Sequence, residues 1–462
     1  MRIEAITVKN YRLFEELTCT FNPRLTVIVA NNGGGKTAIL DAIRVSFGTY
    51  LGAFPTVSGN AIKLVDVRQE KVRDEPVIGM EYVFPSQVRA SGRLGNQDKN
   101  ISWLRALNTA KSGTTIKDAK ALTVYARLLQ NAEASSGDKV DWPLLAYYGT
   151  GRLWLHKKLT SNKSFAAGFH SRAAGYIDCM DTASSYKFFA EWFGYAYRAI
   201  TQSKIRFMEA HPSATPQEVI AHESAFSPLV AAVQDAVEIV LTPSGWKHLW
   251  YSETVQDVTA VHDQYGRLAL GQLSDGIRNC IALVADIAFR AVQLNPRLGA
   301  RAAKETQGIV LIDEIDMHLH PSWQQTVLTD LMTAFPKLQF IVTTHSPQVL
   351  TTVPSESIRV LREGKIFAAS PGTEGAESSR LLKRVFGVES RPPHNPATKK
   401  LNDYLALVYA NKWDALRAKR LRKLLDARYR GEEPALTAAD LHIENQKWEQ
   451  ESGLGGSVEN HS

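Results

Sequence analysis

Residues 25–37 read L-T-V-I-V-A-N-N-G-G-G-K-T, and the chemical character of this stretch changes halfway along it. Its first six residues are apolar or β-branched, which predicts a strand that is buried on both faces. The segment N-N-G-G-G interrupts the strand. The residues that follow place four apolar side chains on one helical stripe, Ile39, Leu40, Ile43 and Phe47. The order of elements is therefore strand, glycine-rich turn and helix.

The turn fits the pattern G-x-x-x-x-G-K-S/T, with Ala30 in the place of the first glycine. Backbone N–H groups of such a turn, together with the N-terminus of the following helix, surround phosphate groups. The lysine adds a positive charge, and the threonine hydroxyl is a ligand for Mg²⁺. We therefore predict that ATP and Mg²⁺ bind here, through Asn31, Asn32, Gly33, Gly34, Gly35, Lys36 and Thr37.

A second stretch, G-I-V-L-I-D-E-I-D-M-H-L-H-P at 308–321, joins an apolar strand to adjacent carboxylates. Asp313 is predicted to hold the same Mg²⁺ as Thr37, and Glu314 to polarise the attacking water as a catalytic base. A capped strand end would explain the carboxylates alone, but it would leave the glycine-rich cradle unexplained. No neighbouring cysteine or carboxylate pattern supports a zinc site at His318 and His320.

Two shorter segments complete the set of motifs. F-I-V-T-T-H-S-P at 340–347 is a second apolar strand that ends in His345, the position of a catalytic sensor of the γ-phosphate. L-S-D-G at 273–276 is similar to L-S-G-G, the signature of ABC-type ATPases, and it precedes the carboxylates by about forty residues. The order of the motifs along the chain is that of these ATPases.

Taken together, these motifs resemble the ABC-type AAA ATPase heads of the SMC, RecF and OLD-like class. N-Y-R at 10–12 is similar to a segment at the start of such heads that lies near the nucleotide base. D-E-I-D-M-H-L-H-P and Y-Y-G-T-G-R-L-W at 147–154 narrow the resemblance to the PtuA family. This family supplies the ATPase subunit of Septu and retron antiphage systems, where the partner is an HNH nuclease (PtuB).

The resemblance implies a nucleotide-sandwich dimer or higher oligomer. Ser274 and Gly276 of one subunit would contact the γ-phosphate that is bound to Lys36 of the other. Arg12 would lie near the base. His320 stands where such heads have an aspartate, so the resemblance places it at the dimer interface, and His318 is expected to pack against or cap the next helix.

The implied fold class is α/β, an ABC-type P-loop ATPase head with a mixed β-sheet flanked by helices. A helical insert and a helical C-terminal tail are added to it. The predicted domains are an N-terminal lobe with the phosphate cradle, a helical insert, a C-terminal lobe with the other motifs, a basic helical region and a disordered tail; their bounds are 1–150, 151–255, 256–370, 371–450 and 451–462.

Local patterns give further predictions. Strands are expected at 1–9, 16–21, 25–30 and 76–84, and long loops over 85–120. Residues 155–250 are expected to be mostly helical. In this region Thr215 and Glu218 form a capping-box pattern ahead of one long helix to about Val240. An aromatic stripe is expected to be helix core, and it consists of Phe188, Phe189, Trp192 and Phe193.

Composition narrows the class of protein further. The chain has 462 residues, of which 44% are hydrophobic and 22% charged. It has no apolar run of about 18 residues. Its three cysteines are far apart, which favours a reducing cytoplasm over a disulfide scaffold. The net charge is +7, and its excess lies between residues 396 and 430. This basic segment is interpreted either as a solvated helical face or as a surface for nucleic acid or an acidic partner.

The leading functional hypothesis is a slow, regulatory ATPase of a bacterial antiphage complex. It would bind itself and an HNH nuclease, with a reverse transcriptase and its DNA as further partners. The main alternative is a RecF- or SMC-like repair or recombination ATPase that acts directly on DNA. A third hypothesis is a clamp that binds ATP without hydrolysing it. No nuclease motif is visible in the sequence, so cleavage of nucleic acid is assigned to a partner.

Overall fold

A computed structural model describes residues 1–71, 79–95, 99–136, 140–153, 171–181 and 186–451. The end of the predicted Y-Y-G-T-G-R-L-W segment at residue 154 and most of the predicted disordered tail lie outside these ranges. The chain divides into two compact units, Met1–Phe386 and Gly387–Ser462. In the described parts of the chain, no helix combines the length and the apolar character needed to cross a membrane.

The strands of the first unit are numbered β1 to β15 in chain order. They are β1 (Arg2–Tyr11), β2 (Phe14–Thr20), β3 (Leu25–Ala30), β4 (Gln69–Lys71), β5 (Met80–Tyr82), β6 (Ser86–Arg93), β7 (Ile101–Leu107), β8 (Leu144–Tyr148), β9 (Trp246–Ser252), β10 (Asp257–His262), β11 (Gly266–Ala269), β12 (Gly308–Ile312), β13 (Leu338–Thr344), β14 (Ile358–Arg362) and β15 (Lys365–Ala368).

The α-helices are numbered in the same way through both units. They are α1 (Lys36–Ser46), α2 (Gly48–Leu51), α3 (Lys120–Ser136), α4 (Tyr186–Ala210), α5 (Pro216–Ala221), α6 (Ser227–Leu241), α7 (Asp275–Leu294), α8 (Ala302–Glu305), α9 (Pro321–Gln324), α10 (Val327–Ala334), α11 (Pro347–Leu350), α12 (Ser378–Arg384), α13 (Pro396–Tyr409), α14 (Leu416–Tyr429) and α15 (Pro434–Glu451).

The central sheet has six strands in the order β15-β14-β3-β13-β12-β8. Strands β14, β3, β13, β12 and β8 are parallel, and β15 pairs antiparallel with β14. Every residue of β3, β8, β12 and β13 is buried, as expected for parallel strands covered on both faces. The carboxyl ends of β3, β12 and β13 therefore lie side by side, and the phosphate cradle, the adjacent carboxylates and His345 each follow one of them. The predicted mixed α/β sheet is confirmed.

A second, antiparallel sheet has the order β2-β1-β6-β7. The amide of Gln339 connects it to the central sheet, since it accepts from Ile3 N at 3.0 Å and donates to Ile3 O at 2.8 Å. The predicted strands at 1–9, 16–21 and 25–30 are confirmed. Of the strand expected at 76–84, the described residues contain β5.

The prediction of long loops over 85–120 is wrong, because β6 and β7 lie there and pair from Ser86 with Leu107 to Gly92 with Ile101. Residues of β6 alternate between buried and more exposed positions, and its outward positions carry polar and charged side chains. Such a strand packs on a core with one face only, and its other face is polar. Its overall composition therefore resembles that of a loop.

The prediction of a mostly helical 155–250 region needs correction at two places. The capping box of Thr215 and Glu218 is present, but α5 ends at Ala221, and α6 starts afresh at Ser227 with Pro228 in its first turn. Residues 246–252 form β9, which belongs to a three-stranded antiparallel sheet with β10 and β11. The aromatic stripe of α4 is buried, as predicted, and packs around Phe289.

The described residues of the second unit contain three helices, α13 to α15. Their buried residues include Leu401, Tyr404 and Val408 of α13 and Leu425 of α14, whereas Leu416 and Leu424 of α14 are 88% and 49% exposed.

Candidate ATP-binding and hydrolysis site

The phosphate cradle is the turn between β3 and α1. Gly33 and Gly35 have φ values of 73° and 99°, which glycine adopts at no steric cost. A Cβ on Gly35 would lie 2.5 Å from Cζ of Phe14. A Cβ on Gly34 would lie 2.9 Å from Cβ of Ala30, so the glycine at 34 makes room for alanine in place of the usual first glycine. Asn31 and Asn32 are exposed at the mouth of the turn.

Lys36, the first residue of α1, is buried in this turn. Its Nζ donates to the carbonyl of Ala30 at 3.1 Å and contacts Nε2 of His345 at 2.6 Å. An ammonium group only donates, so Nε2 of His345 is the acceptor. Burial lowers the pKa of Lys36, against the opposite effect of Asp313, Glu314 and Asp316. The structure therefore joins the predicted phosphate ligand to the predicted phosphate sensor.

Thr37 and Asp313 are in direct contact. Thr37 Oγ1 donates to Asp313 Oδ2 at 2.7 Å, and Thr343 Oγ1 donates to Asp313 Oδ1 at 2.5 Å. The two oxygens predicted as Mg²⁺ ligands are thus adjacent, and both are of the hard type that Mg²⁺ prefers. Within the described ranges, no group of three or more His, Cys, Asp or Glu side chains is placed to hold a metal ion.

Glu314 follows Asp313 in a left-handed backbone conformation, with φ 48°. This conformation is uncommon for residues other than glycine and is found most often at functional sites. The hydroxyl of Thr343 accepts from Glu314 N at 2.8 Å, and Thr343 O accepts from Ile315 N at 3.0 Å. The turn therefore points two neighbouring carboxylates in different directions. One is in contact with Thr37, and the other is partly exposed.

The third carboxylate of the stretch positions the sensor segment. Asp316 Oδ1 accepts from Thr344 Oγ1 at 2.5 Å and from His345 N at 3.3 Å. Thr343 and Thr344 were given no role by the sequence prediction. The sequence feature that could have identified them is a pair of hydroxyl side chains at the end of a buried strand, directly before the histidine.

The other residues predicted to contact the nucleotide are Arg12, Ser274 and Gly276, which belong to other segments of the chain. Arg12 makes ion pairs with Asp41 at 2.6 Å and Asp66 at 2.9 Å, and its role near the base stays a prediction. Ser274 is exposed at the N-terminus of α7. A Cβ on Gly276 would lie 2.4 Å from the carbonyl oxygen of His318, so the signature segment packs closely on the loop after β12.

The two histidines of that loop need one correction. His320, rather than His318, caps the next helix, because its side chain accepts from Ser322 N at 3.3 Å. His318 has φ 62° and supplies the carbonyl that faces Gly276. The place of His320 at a dimer interface stays a prediction.

Comparisons with known proteins relate the chain to ATPases. Residues 5–191 match the family described as "AAA domain", and residues 208–351 match "AAA domain, putative AbiEii toxin, Type IV TA system". The chain is 29% identical to "Retron Ec83 probable ATPase" of Escherichia coli, over 97% of this chain and 88% of the relative. It is 28% identical to "Retron Vc95 probable ATPase" of Vibrio cholerae, over 92% and 86%.

A shorter match is 40% identical to "Septu protein PtuA" of Bacillus mycoides, over 27% of this chain and 18% of that protein. The fold, the meeting of the motifs at one edge of the sheet and these matches define an ABC-type ATPase. Within that class, the chain is related to the retron ATPases and to PtuA.

The conformation of Gly35 gives a direct test of the cradle. We predict that Gly35→Ala weakens ATP binding by about tenfold or more. A side chain at φ 99° with a Cβ in collision with Phe14 costs about 1–3 kcal/mol or displaces the turn. Titration with a fluorescent ATP analogue measures the effect. Gly113→Ala is the matched control, because nothing lies within 4 Å of its Cβ position. Equal ATP affinity in both variants would show that the phosphates bind elsewhere.

Proposed function

We propose that this chain is the regulatory ATPase of a bacterial antiphage defence complex and that it controls a partner HNH nuclease, as PtuA-like proteins do with PtuB. The observation that carries the catalytic part is the contact set that joins Lys36 to His345 and Thr37 to Asp313. The retron ATPases that match nearly the whole chain support the defence assignment.

In this proposal the residues around the cradle divide the work of ATP hydrolysis. Thr37 and Asp313 would hold Mg²⁺, which would neutralise negative charge on the phosphates. The backbone N–H groups of 33–36 and the Lys36 ammonium would bind phosphate oxygens, and Glu314 would orient and deprotonate water. His345 has a ring nitrogen directed at Lys36, so it contacts the terminal phosphate once Lys36 turns to the nucleotide.

The contacts between these residues support slow, regulated turnover. Lys36 is buried and bound to both His345 and a carbonyl oxygen, so phosphate binding must replace the contact with His345. Ser274 is exposed at the N-terminus of α7 and is therefore accessible to a second copy of the chain. In this proposal that second copy completes the site, as a nucleotide sandwich requires.

The basic segment 396–430 supports an additional contact with nucleic acid. Lys419, Arg420 and Lys423 are exposed on one face of α14 and have no ion-pair partner among the residues that the structure describes. Arg417 and Arg422 on the same helix are paired with aspartates. Lysine and arginine side chains contribute to nucleic-acid binding by neutralising backbone phosphates. We propose that this face contacts nucleic acid, including the DNA of a reverse transcriptase where one is present.

Glu314→Gln tests the sandwich. We predict that this variant binds ATP, loses about 10²-fold or more of its turnover, and accumulates as a dimer of twice 51.2 kDa, since the general base is removed and the phosphate ligands remain. Sedimentation with and without ATP measures the mass. The double variant Lys36→Ala, Glu314→Gln is the control and should stay monomeric. A mass that ATP does not change would contradict the sandwich, and unmeasurable turnover before and after the substitution would indicate an ATP clamp.

Purification from the native operon tests the defence assignment. Tagged Glu314→Gln protein, isolated with ATP, should carry a stoichiometric HNH nuclease, with or without a reverse transcriptase and its DNA, because the trapped state favours partners that bind the ATP form. Mass spectrometry and nucleic-acid extraction identify them. Recovery of duplex DNA without a protein partner would instead indicate a repair ATPase of the RecF-like kind.

A further inference from the structure

We infer that Tyr148, Asp286 and Arg290 form a buried coupling group that fixes the signature segment of a subunit relative to the Mg²⁺-binding aspartate of the same subunit. In the proposed sandwich, on which this inference rests, these two parts serve different nucleotides. The three residues are positioning residues, because none of them contacts the cradle. They would make ATP binding at one site favour closure at the other.

Tyr148 makes hydrogen bonds both to the Mg²⁺-binding aspartate and to the helix that begins at the signature segment. As the last residue of β8 it pairs with Ile312 of β12, and its carbonyl accepts from Asp313 N at 2.8 Å. Its side-chain hydroxyl donates to Asp286 Oδ2 on α7 at 2.7 Å. Burial raises the pKa of Tyr148 well above its ordinary value, so the phenol keeps its proton and remains a donor.

Arg290 extends the connection along α7. Its Nε donates to Asp286 Oδ2 at 2.8 Å, and its Nη1 donates to the carbonyls of Gly175 and Ile177 at 2.9 and 3.0 Å. Asp286 lies twelve residues after the signature Ser274, which is about 18 Å along a helix. A rigid helix carries any displacement of Asp286 to the signature segment at its N-terminus.

The burial of this ion pair favours a role beyond stability. Asp286 and Arg290 are 1% and 2% exposed. Removing both charges from water costs about as much as their attraction returns, and apolar residues of similar size often serve stability as well or better. A buried pair with fixed hydrogen bonds does, however, permit only a few discrete positions of α7 against β8. A contact that permits only discrete positions can transmit a conformational change from one nucleotide site to the other.

The strand itself provides a matched control. Tyr147 precedes Tyr148, is fully buried, and its hydroxyl has no hydrogen-bond partner in the part of the chain that the structure describes. Tyr148→Phe and Tyr147→Phe therefore remove the same atom from the same strand. Only the first substitution removes a bond to α7.

The test places each substitution in the Glu314→Gln background and measures two quantities. These are the affinity of the dilute monomer for a fluorescent ATP analogue, and the dissociation constant of the ATP-bound dimer by sedimentation. Tyr148→Phe should leave the first within about twofold and weaken the dimer by roughly 5- to 150-fold, the usual range of coupling between sites. Tyr147→Phe should change neither. Thermal melting confirms that both variants are folded at the assay temperature.

Asp286→Asn keeps the shape of the side chain and gives a second measurement. If both residues act through the same bond, adding Asp286→Asn to Tyr148→Phe should weaken the dimer less than the sum of the two single effects. A dimer constant for Tyr148→Phe equal to that of Tyr147→Phe would overturn the coupling and leave the sandwich intact. If the Glu314→Gln parent does not dimerise with ATP, the sandwich is wrong and the inference falls with it.

Discussion

The hydrogen bond between Thr37 and Asp313 joins residues that are 276 positions apart in the chain. It exists because β13 lies between β3 and β12 in a parallel sheet, so that the carboxyl ends of the three strands meet at one edge. A buried carboxylate needs hydrogen-bond partners, and Asp313 obtains them from α1 and from Thr343 of the middle strand. Each strand therefore contributes one part of a single site, and the sheet order places the parts within bonding distance.

The same edge of the sheet also determines the contacts of Lys36 and His345. Lys36 is buried with a lowered pKa, and its contacts are a carbonyl and the ring of His345. ATP offers a stronger partner for the ammonium than either. Asp316 connects His345 to the loop after β12, so a change in the position of His345 would act on that loop. The signature segment packs on that loop through Gly276, so the cradle and the proposed dimer surface share neighbouring elements.

Sequence patterns predicted the parts of this fold in which side chains and backbone follow one strong rule. The continuous apolar run of β3, the glycines of the cradle and the carboxylates after β12 each have a local cause, so their positions could be predicted. Strands β6 and β9 were missed because each faces solvent on one side and carries polar or charged residues there. Their pairing depends on neighbours distant in sequence, such as Arg2–Tyr11 for β6.

The finer assignments at the site depended on geometry that no local pattern contains. The capping role of His320 follows from one hydrogen bond, which its side chain accepts from Ser322 N. His318 is also a histidine and lies two positions earlier, so residue type alone could not tell which of the two caps the helix. The link from Tyr148 to Asp286 joins a strand to a helix 138 positions away. The quoted motif around Tyr148 suggested a family resemblance, but the sequence alone gave no physical reason for the tyrosine.

A crystal structure of Glu314→Gln with ATP and Mg²⁺ would show whether nucleotide binds at this edge of the sheet. We predict that the metal ion lies between Thr37 Oγ1 and Asp313, so that their direct 2.7 Å hydrogen bond is lost, and that Nζ of Lys36 leaves His345 for a phosphate oxygen. ATP bound with both contacts still in place, or bound away from residues 31–37, would contradict this prediction.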